Sequence, residues 1–313
     1  MKILIISGFL GAGKTTFIKE MIRATKRDFV IFENEFADVS VDGDILKQVE
    51  DEDTTQELTV WEFTDGCVCC GMQGDFTNSL IVISNSLNPD FLIVEPSGVG
   101  VLSAIIQSVR KVEYQRIQLL APITIIDAQT FWQNRSKFAD LMHDQIRHAK
   151  HIQLSKTEQL SSEELHSIEE AIRQLNAQAV IYTQHYRNQK LNYWNQLFDG
   201  ELVEDVHAST IDLQFEHMSV KKTRCQHVGE FITFLEYLVR GLYGNISRAK
   251  GVFQVQDYLL RFDVVNEQYA ITIAEDDAVP QVVFIGENLN RLLLKATLTT
   301  LRSPKIVINM KTN

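Results

Sequence analysis

The chain has 313 residues, 45% of them apolar and 23% charged, with a formal net charge of −11. That acidic balance excludes a general nucleic-acid binder, which needs a basic face. No apolar run is long enough to span a bilayer, so no membrane partner is expected. The first residues read as a buried strand rather than a removable leader, and the expected location is cytoplasmic.

The first element is the strand Lys2-Ile3-Leu4-Ile5-Ile6-Ser7. Gly8 follows, then four residues, then Gly13-Lys14-Thr15-Thr16, and a helix begins at Phe17. Strand, glycine-rich turn and helix is the setting a phosphate loop requires. Glycines let several backbone N–H groups face one phosphate, and the helix N-terminus adds its positive dipole end. Lys14 supplies a charge for the outer phosphates, and the Thr15 hydroxyl suits Mg²⁺. This spacing predicts a nucleoside triphosphate site.

Further apolar runs come at 29–32, 58–63, 91–94, 123–126, 151–154 and 179–182, mostly continuous, as in strands covered on both faces. Residues 131–150 read as helix, and Ser161-Ser162-Glu163-Glu164 opens another with a capping box. The alternation predicts a doubly wound, mainly parallel P-loop α/β sheet over residues 1–210. After residue 210 the pattern changes. A helix around 231–235 precedes strands near 251–256, 259–265, 268–274 and 282–285. A helix at 288–299 and a strand at 305–309 finish the chain. Tight turns between these strands predict antiparallel pairing, hence a second, smaller α+β domain over residues 211–313.

Asp65-Gly66-Cys67-Val68-Cys69-Cys70-Gly71 follows the third run and holds three of the four cysteines. Thiolates suit Zn²⁺, Co²⁺ or Cu⁺. Three thiols leave a tetrahedral site one ligand short, which favours exchange over scaffolding. A regulatory disulfide among them is the competing reading. Cys225 reads as a lone core or surface thiol.

Glu95 ends the fourth run in Glu95-Pro96-Ser97-Gly98, placed to hold a Mg²⁺-bound water while the Gly98 N–H meets the γ-phosphate. Asp127 is a second candidate acid, with a cap for the next helix as its alternative role. Ser155-Lys156-Thr157-Glu158 occupies the base-reading position after a later strand. A carboxylate there accepts from guanine N1–H and N2–H₂, which adenine does not offer, so GTP is expected over ATP. Lys156 and Glu158 as ordinary surface charges is the alternative.

These motifs, in this order, resemble the CobW-type family of P-loop GTPases, relatives of the urease and hydrogenase metallochaperones UreG and HypB. Glu33-Asn34-Glu35-Phe36-Ala37-Asp38 is similar to the family's Asn-Glu-Phe-Gly switch segment. Asp144-Gln145-Ile146 and Arg248-Ala249-Lys250-Gly251 are similar to later blocks. The resemblance implies a slow GTPase that binds GTP and Mg²⁺ and delivers zinc or cobalt to a client metalloprotein or cofactor-assembly protein. It implies that Gly8, Gly11, Ala12, Gly13, Lys14, Thr15 and Thr16 hold the phosphates and Mg²⁺. Lys14, Thr15, Glu95 and Gly98 would serve catalysis, and Ser155, Lys156 and Glu158 the base. Cys67, Cys69 and Cys70, with Glu35, would hold the transition metal. A homodimer is one assembly left open. The chain departs from the family at Ala37, Ser155 and Glu158, and its eight histidines form no tract.

Overall fold

The computed structural model describes residues 1–34, 59–63 and 73–302, apart from 115, 204, 210, 212–214 and 266. The cysteine motif 67–70, Glu35 and the expected strand 305–309 lie outside the described residues. The chain divides into two compact units, Met1–Leu213 and Gln214–Asn313.

The first unit opens with β1 (Lys2–Ser7), α1 (Lys14–Thr25), β2 (Val30–Asn34), β3 (Thr59–Phe63) and α2 (Gln73–Ser86). There follow β4 (Phe91–Glu95), α3 (Leu102–Arg110), β5 (Gln118–Leu119) and β6 (Ile123–Asp127). Then come α4 (Phe131–Lys137), α5 (Ala139–Arg147), β7 (His151–Ser155), α6 (Ser162–Leu175), β8 (Val180–Tyr182) and α7 (Leu191–Gln196). The strands lie in the order β3-β2-β4-β1-β6-β7-β8, all parallel, and β5 pairs with β1. Strands β4 and β6 flank β1 on opposite sides, so the carboxyl end of β1 opens into the crevice of a doubly wound sheet.

Alternation along β1 builds two cores from one run. Ile3 and Ile5 join Phe76, Leu80, Ile105 and Val109 of α2 and α3 on one face. Leu4 and Ile6 join Phe17, Ile18 and Met21 of α1 and Trp194 of α7 on the other. Each aliphatic side chain so enclosed contributes about 1.5–3 kcal/mol, so none of the four positions from Ile3 to Ile6 can be polar without loss. The capping box of α6 forms as read, with Ser161 accepting from the Glu164 N–H and Glu164 from the Ser161 N–H.

The expected single helix over 131–150 is instead two. Phe138 leaves helical geometry between α4 and α5 and stacks its ring on Phe9 at 4.8 Å. A continuous helix would carry that ring elsewhere.

The second unit contains β9 (Glu216–Lys221), β10 (Arg224–Cys225), α8 (Val228–Val239) and β11 (Asn245–Val255). It continues with β12 (Tyr258–Val265), β13 (Gln268–Ile273), β14 (Gln281–Glu287) and α9 (Arg291–Arg302). Its sheet is antiparallel in the order β13-β12-β11-β14-β9, with β10 parallel to β11. Phe231, Phe234 and Leu238 of α8 and Leu294 and Leu298 of α9 share one core with Phe253, Phe262 and Phe284 of the sheet. The strand β9 was not expected, because only Met218 and Val220 are apolar in it and Met218 alone is buried. No helix among the described residues is long and apolar enough to cross a membrane.

Candidate functional site

The site is built on the turn between β1 and α1. Gly8 has φ 144°, and a Cβ there would fall 2.3 Å from the Ile125 carbonyl oxygen of β6. Only glycine lets the chain turn so close to its neighbour strand. Gly11 and Gly13 take left-handed φ values of 72° and 95°. Gly13 caps α1 without any side-chain bond, and no acidic residue lies in the first turn. The N-terminus of a twelve-residue helix therefore faces the loop with no acidic residue of its own first turn set against its dipole. Nothing among the described residues lies within 4 Å of where a Gly13 Cβ would stand. The turn is closed by Ala12 N–H donating to the Phe9 carbonyl at 3.1 Å. Lys14 Nζ reaches back to the Gly8 carbonyl at 3.0 Å, which holds its charge over the loop. Thr16 is exposed on the first turn.

Thr15 Oγ1 donates to Glu95 Oε1 at 2.8 Å. The carboxyl end of β4 is thus tied to the first turn of α1, which brings together the two residues expected to serve one Mg²⁺. After Glu95 the chain leans on the phosphate loop. A Cβ on Gly98 would stand 2.5 Å from the Leu10 backbone nitrogen. Gly98 is therefore the residue that allows the two loops to touch.

Glu95 has a neighbour the sequence reading passed over. Strand register aligns Glu33 of β2 with Glu95 of β4 on one side and with Glu62 of β3 on the other. Glu33 and Glu95 are both buried. The signal was in plain view: each of three apolar runs has a glutamate at or next to its end, at Phe32-Glu33, Trp61-Glu62 and Val94-Glu95.

A second missed group supports the Glu95–Gly98 loop from behind. Gln145 of α5 donates from Nε2 to the Gly100 carbonyl at 3.1 Å. Its neighbour Asp144 accepts the Ser103 N–H at the start of α3 at 3.1 Å and the Ser209 hydroxyl at 2.7 Å. His148 Nδ1 lies 3.2 Å from the same carboxylate. Burial pushes the Asp144 carboxyl up, but bonds from His148, Ser103 and Ser209 outweigh it and hold the group below its ordinary value. The bond to Asp144 in turn holds His148 above its ordinary value, against burial and the nearby Arg147.

On the other side of the loop, Ser155 at the end of β7 donates to the Ala12 carbonyl at 2.7 Å. A hydroxyl thus fastens the expected base-reading segment to the phosphate loop. Lys156 adopts φ 55°, and its Nζ pairs with Asp127 Oδ2 at 2.6 Å. Asp127 Oδ1 accepts the N–H groups of Gln129 and Thr130 at 3.0 and 3.3 Å. Of the two acids considered for Mg²⁺, then, Glu95 contacts Thr15, while Asp127 stabilises a turn and positions Lys156. Glu158 Oε1 lies 3.1 Å from His185 Nε2.

Cys225 is buried, donates weakly to the His227 carbonyl at 3.6 Å, and has its thiol pushed up to about 11 by burial and by Glu230. It is an inert core thiol. Among the described residues no group of three or more histidine, cysteine or acidic side chains is arranged to hold a metal.

Residues 2–183 match the family described as CobW/HypB/UreG, nucleotide-binding domain. Residues 215–302 match the cobalamin synthesis protein cobW C-terminal domain. The chain is similar to the zinc chaperone CobW of Sinorhizobium sp, 33% identical over 145 residues, which cover 45% of this chain and 40% of that protein. It is similar to the zinc chaperone YjiA of Escherichia coli (strain K12), 30% identical over 190 residues, covering 58% and 56% of the two. Among solved structures, Zn(II)-bound YjiA GTPase from E. coli aligns over 97% of this chain and 99% of its own, at 20% identity and a TM-score of 0.47. The chain spans about half the length of the curated relatives it matches.

Proposed function

This chain belongs to the CobW/HypB/UreG family, and from that premise we propose that it is a GTP-hydrolysing metallochaperone that carries a transition metal to a client protein. The observation that carries the nucleotide half of this reading is the 2.8 Å bond from Thr15 to Glu95 beside Lys14. It joins the two residue types that hold Mg²⁺ in a P-loop site, one on each of two adjoining elements. Thr15 would ligate the ion and Glu95 would orient its water. Mg²⁺, when bound, offsets charge on the terminal phosphates. The chain's own work is positional. The glycine turn and Lys14 bind the phosphates. Gly98 brings a backbone N–H up to the loop. The support of Gly100 by Gln145 keeps that segment in place. Hydrolysis by such parts is slow and forms no covalent intermediate.

The metal half rests on Cys67, Cys69 and Cys70, with Glu35 as a further ligand, and on the relatives named as zinc chaperones. Zinc is therefore the preferred cargo, with cobalt compatible with the same thiolates. The client is a metalloprotein or a cofactor-assembly protein. The test is a Co²⁺ titration of the full chain in Mg²⁺–GTP. We expect thiolate-to-metal absorption that is strongly reduced in Cys67→Ala and Cys69→Ala. Spectra unchanged in both variants would remove the cysteines from the metal site.

A further inference from the structure

The base-reading segment carries glutamate at 158, one methylene longer than the aspartate usual in a guanine site. A longer side chain has more rotamers to lose before it can accept two hydrogen bonds in one plane. This one is also 59% exposed, so packing does not fix it. Something else must, if it is to read a base.

His185 is placed to do so. Its Nδ1 accepts the Arg187 backbone N–H at 3.1 Å. In the neutral ring that assigns the proton to Nε2. Nε2 lies 3.1 Å from Glu158 Oε1, so the ring donates to the carboxylate. The ring is itself held. Its side chain is 16% exposed, and it lies 4.3 Å from the ring of Tyr186. Tyr186 is buried, edge-on to Phe17 of α1 at 5.2 Å. The residue that reaches Glu158 is therefore braced against the helix that follows the phosphate loop. At the near end of the same segment, Ser155 is bonded to Ala12 of that loop. The four residues from 155 to 158 are pinned at both ends to the phosphate-binding frame.

We infer that His185 is a specificity-determining positioning residue: its Nε2–H orients the Glu158 carboxylate so that it selects guanine over adenine. This rests on the reading of Glu158 as the base acceptor. One oxygen is steadied by the ring, and the carboxylate plane is presented to N1–H and N2–H₂ of the base. The alternative is a surface pair of little consequence that only tightens the short 3-10 turn Tyr186–Asn188. That alternative changes affinity for every nucleotide alike and leaves the ratio between them alone.

The experiment measures GTP and ATP affinities, by competition against a fluorescent GDP analogue, for the full chain and three variants. Glu158→Ala removes the reader. His185→Phe keeps a ring over Tyr186 and removes the donor. His185→Gln keeps a donor and removes the ring. The GTP-to-ATP affinity ratio should fall roughly tenfold in His185→Phe, as expected when a bond to a charged group is lost. It should fall at least as far in Glu158→Ala and stay near the parent value in His185→Gln. If Glu158→Ala loses the ratio and His185→Phe keeps it, His185 is only packing and the inference fails alone. If Glu158→Ala keeps the parent ratio, or the parent does not prefer GTP, the base-reading role of Glu158 fails and takes the inference with it.

Discussion

The two ends of the proposed nucleotide site are made differently. The phosphate end is built from backbone, glycines and buried side chains: Gly8 against Ile125, Gly98 against Leu10, Thr15 bonded to Glu95. The proposed base end is built from side-chain pairs with one exposed member each: Lys156 on the buried Asp127, and Glu158 on His185. The first kind of site tolerates almost no change of residue type, because a Cβ in the wrong place meets main chain. The second tolerates exchange, because a hydroxyl can replace an amide at 155 and a glutamate an aspartate at 158 if neighbours adjust.

The largest effect should come from closing the phosphate end. Gly98→Ala puts a Cβ 2.5 Å from the Leu10 nitrogen, so the two loops must part. A displacement of that order costs about a hundredfold in rate. Single-turnover GTP hydrolysis should show it, and a rate within threefold of the parent would mean that the contact does not matter.

A second test concerns the strut behind that loop. Asp144 contributes stability in full above its unfolded value, near pH 4, and loses it as pH falls through its lowered folded value. His148 contributes in full below about pH 6.5 and loses its share as pH rises through its raised folded value. Stability from this pair is therefore greatest between the two. Asp144→Asn should cost about 2 kcal/mol there, the scale of a hydrogen bond to a charged group. Urea midpoints across pH should be flatter for the variant on both flanks. Parallel curves would detach the pair from stability.

At the base end the expected effect is smaller. Ser155→Ala removes the hydroxyl that donates to Ala12, with Ile126 as a longer second acceptor, a neutral bond worth about 1 kcal/mol. Isothermal titration should show nucleotide affinity weakened by roughly fivefold, for GTP and ATP alike. A change confined to one nucleotide would mean that Ser155 reads the base rather than anchoring the segment.

The same contrast explains what was legible in the sequence. The parallel sheet was readable because strands covered on both faces must be continuously apolar, as Ile3 to Ile6 are. The phosphate loop was readable because its spacing is a steric requirement. Glu95 was a candidate through its place at the end of β4. The row that includes Glu33 and Glu62 was not, since register between strands is set by three-dimensional pairing. Asp144, Gln145 and His185 contact residues 27 to 65 positions away. Local pattern carries no sign of such partners. The edge strand β9 escaped for a different reason: with one buried side chain it lacks the periodicity on which strand recognition depends.

A carrier must hold its ion in one nucleotide state and release it in another. The direct measurement is Zn²⁺ affinity of the full chain, by chelator competition, with a non-hydrolysable GTP analogue and Mg²⁺, with GDP and Mg²⁺, and without nucleotide. The account predicts at least a tenfold difference between the triphosphate and diphosphate forms, about 1.4 kcal/mol of coupling. Equal affinities in all three would contradict it.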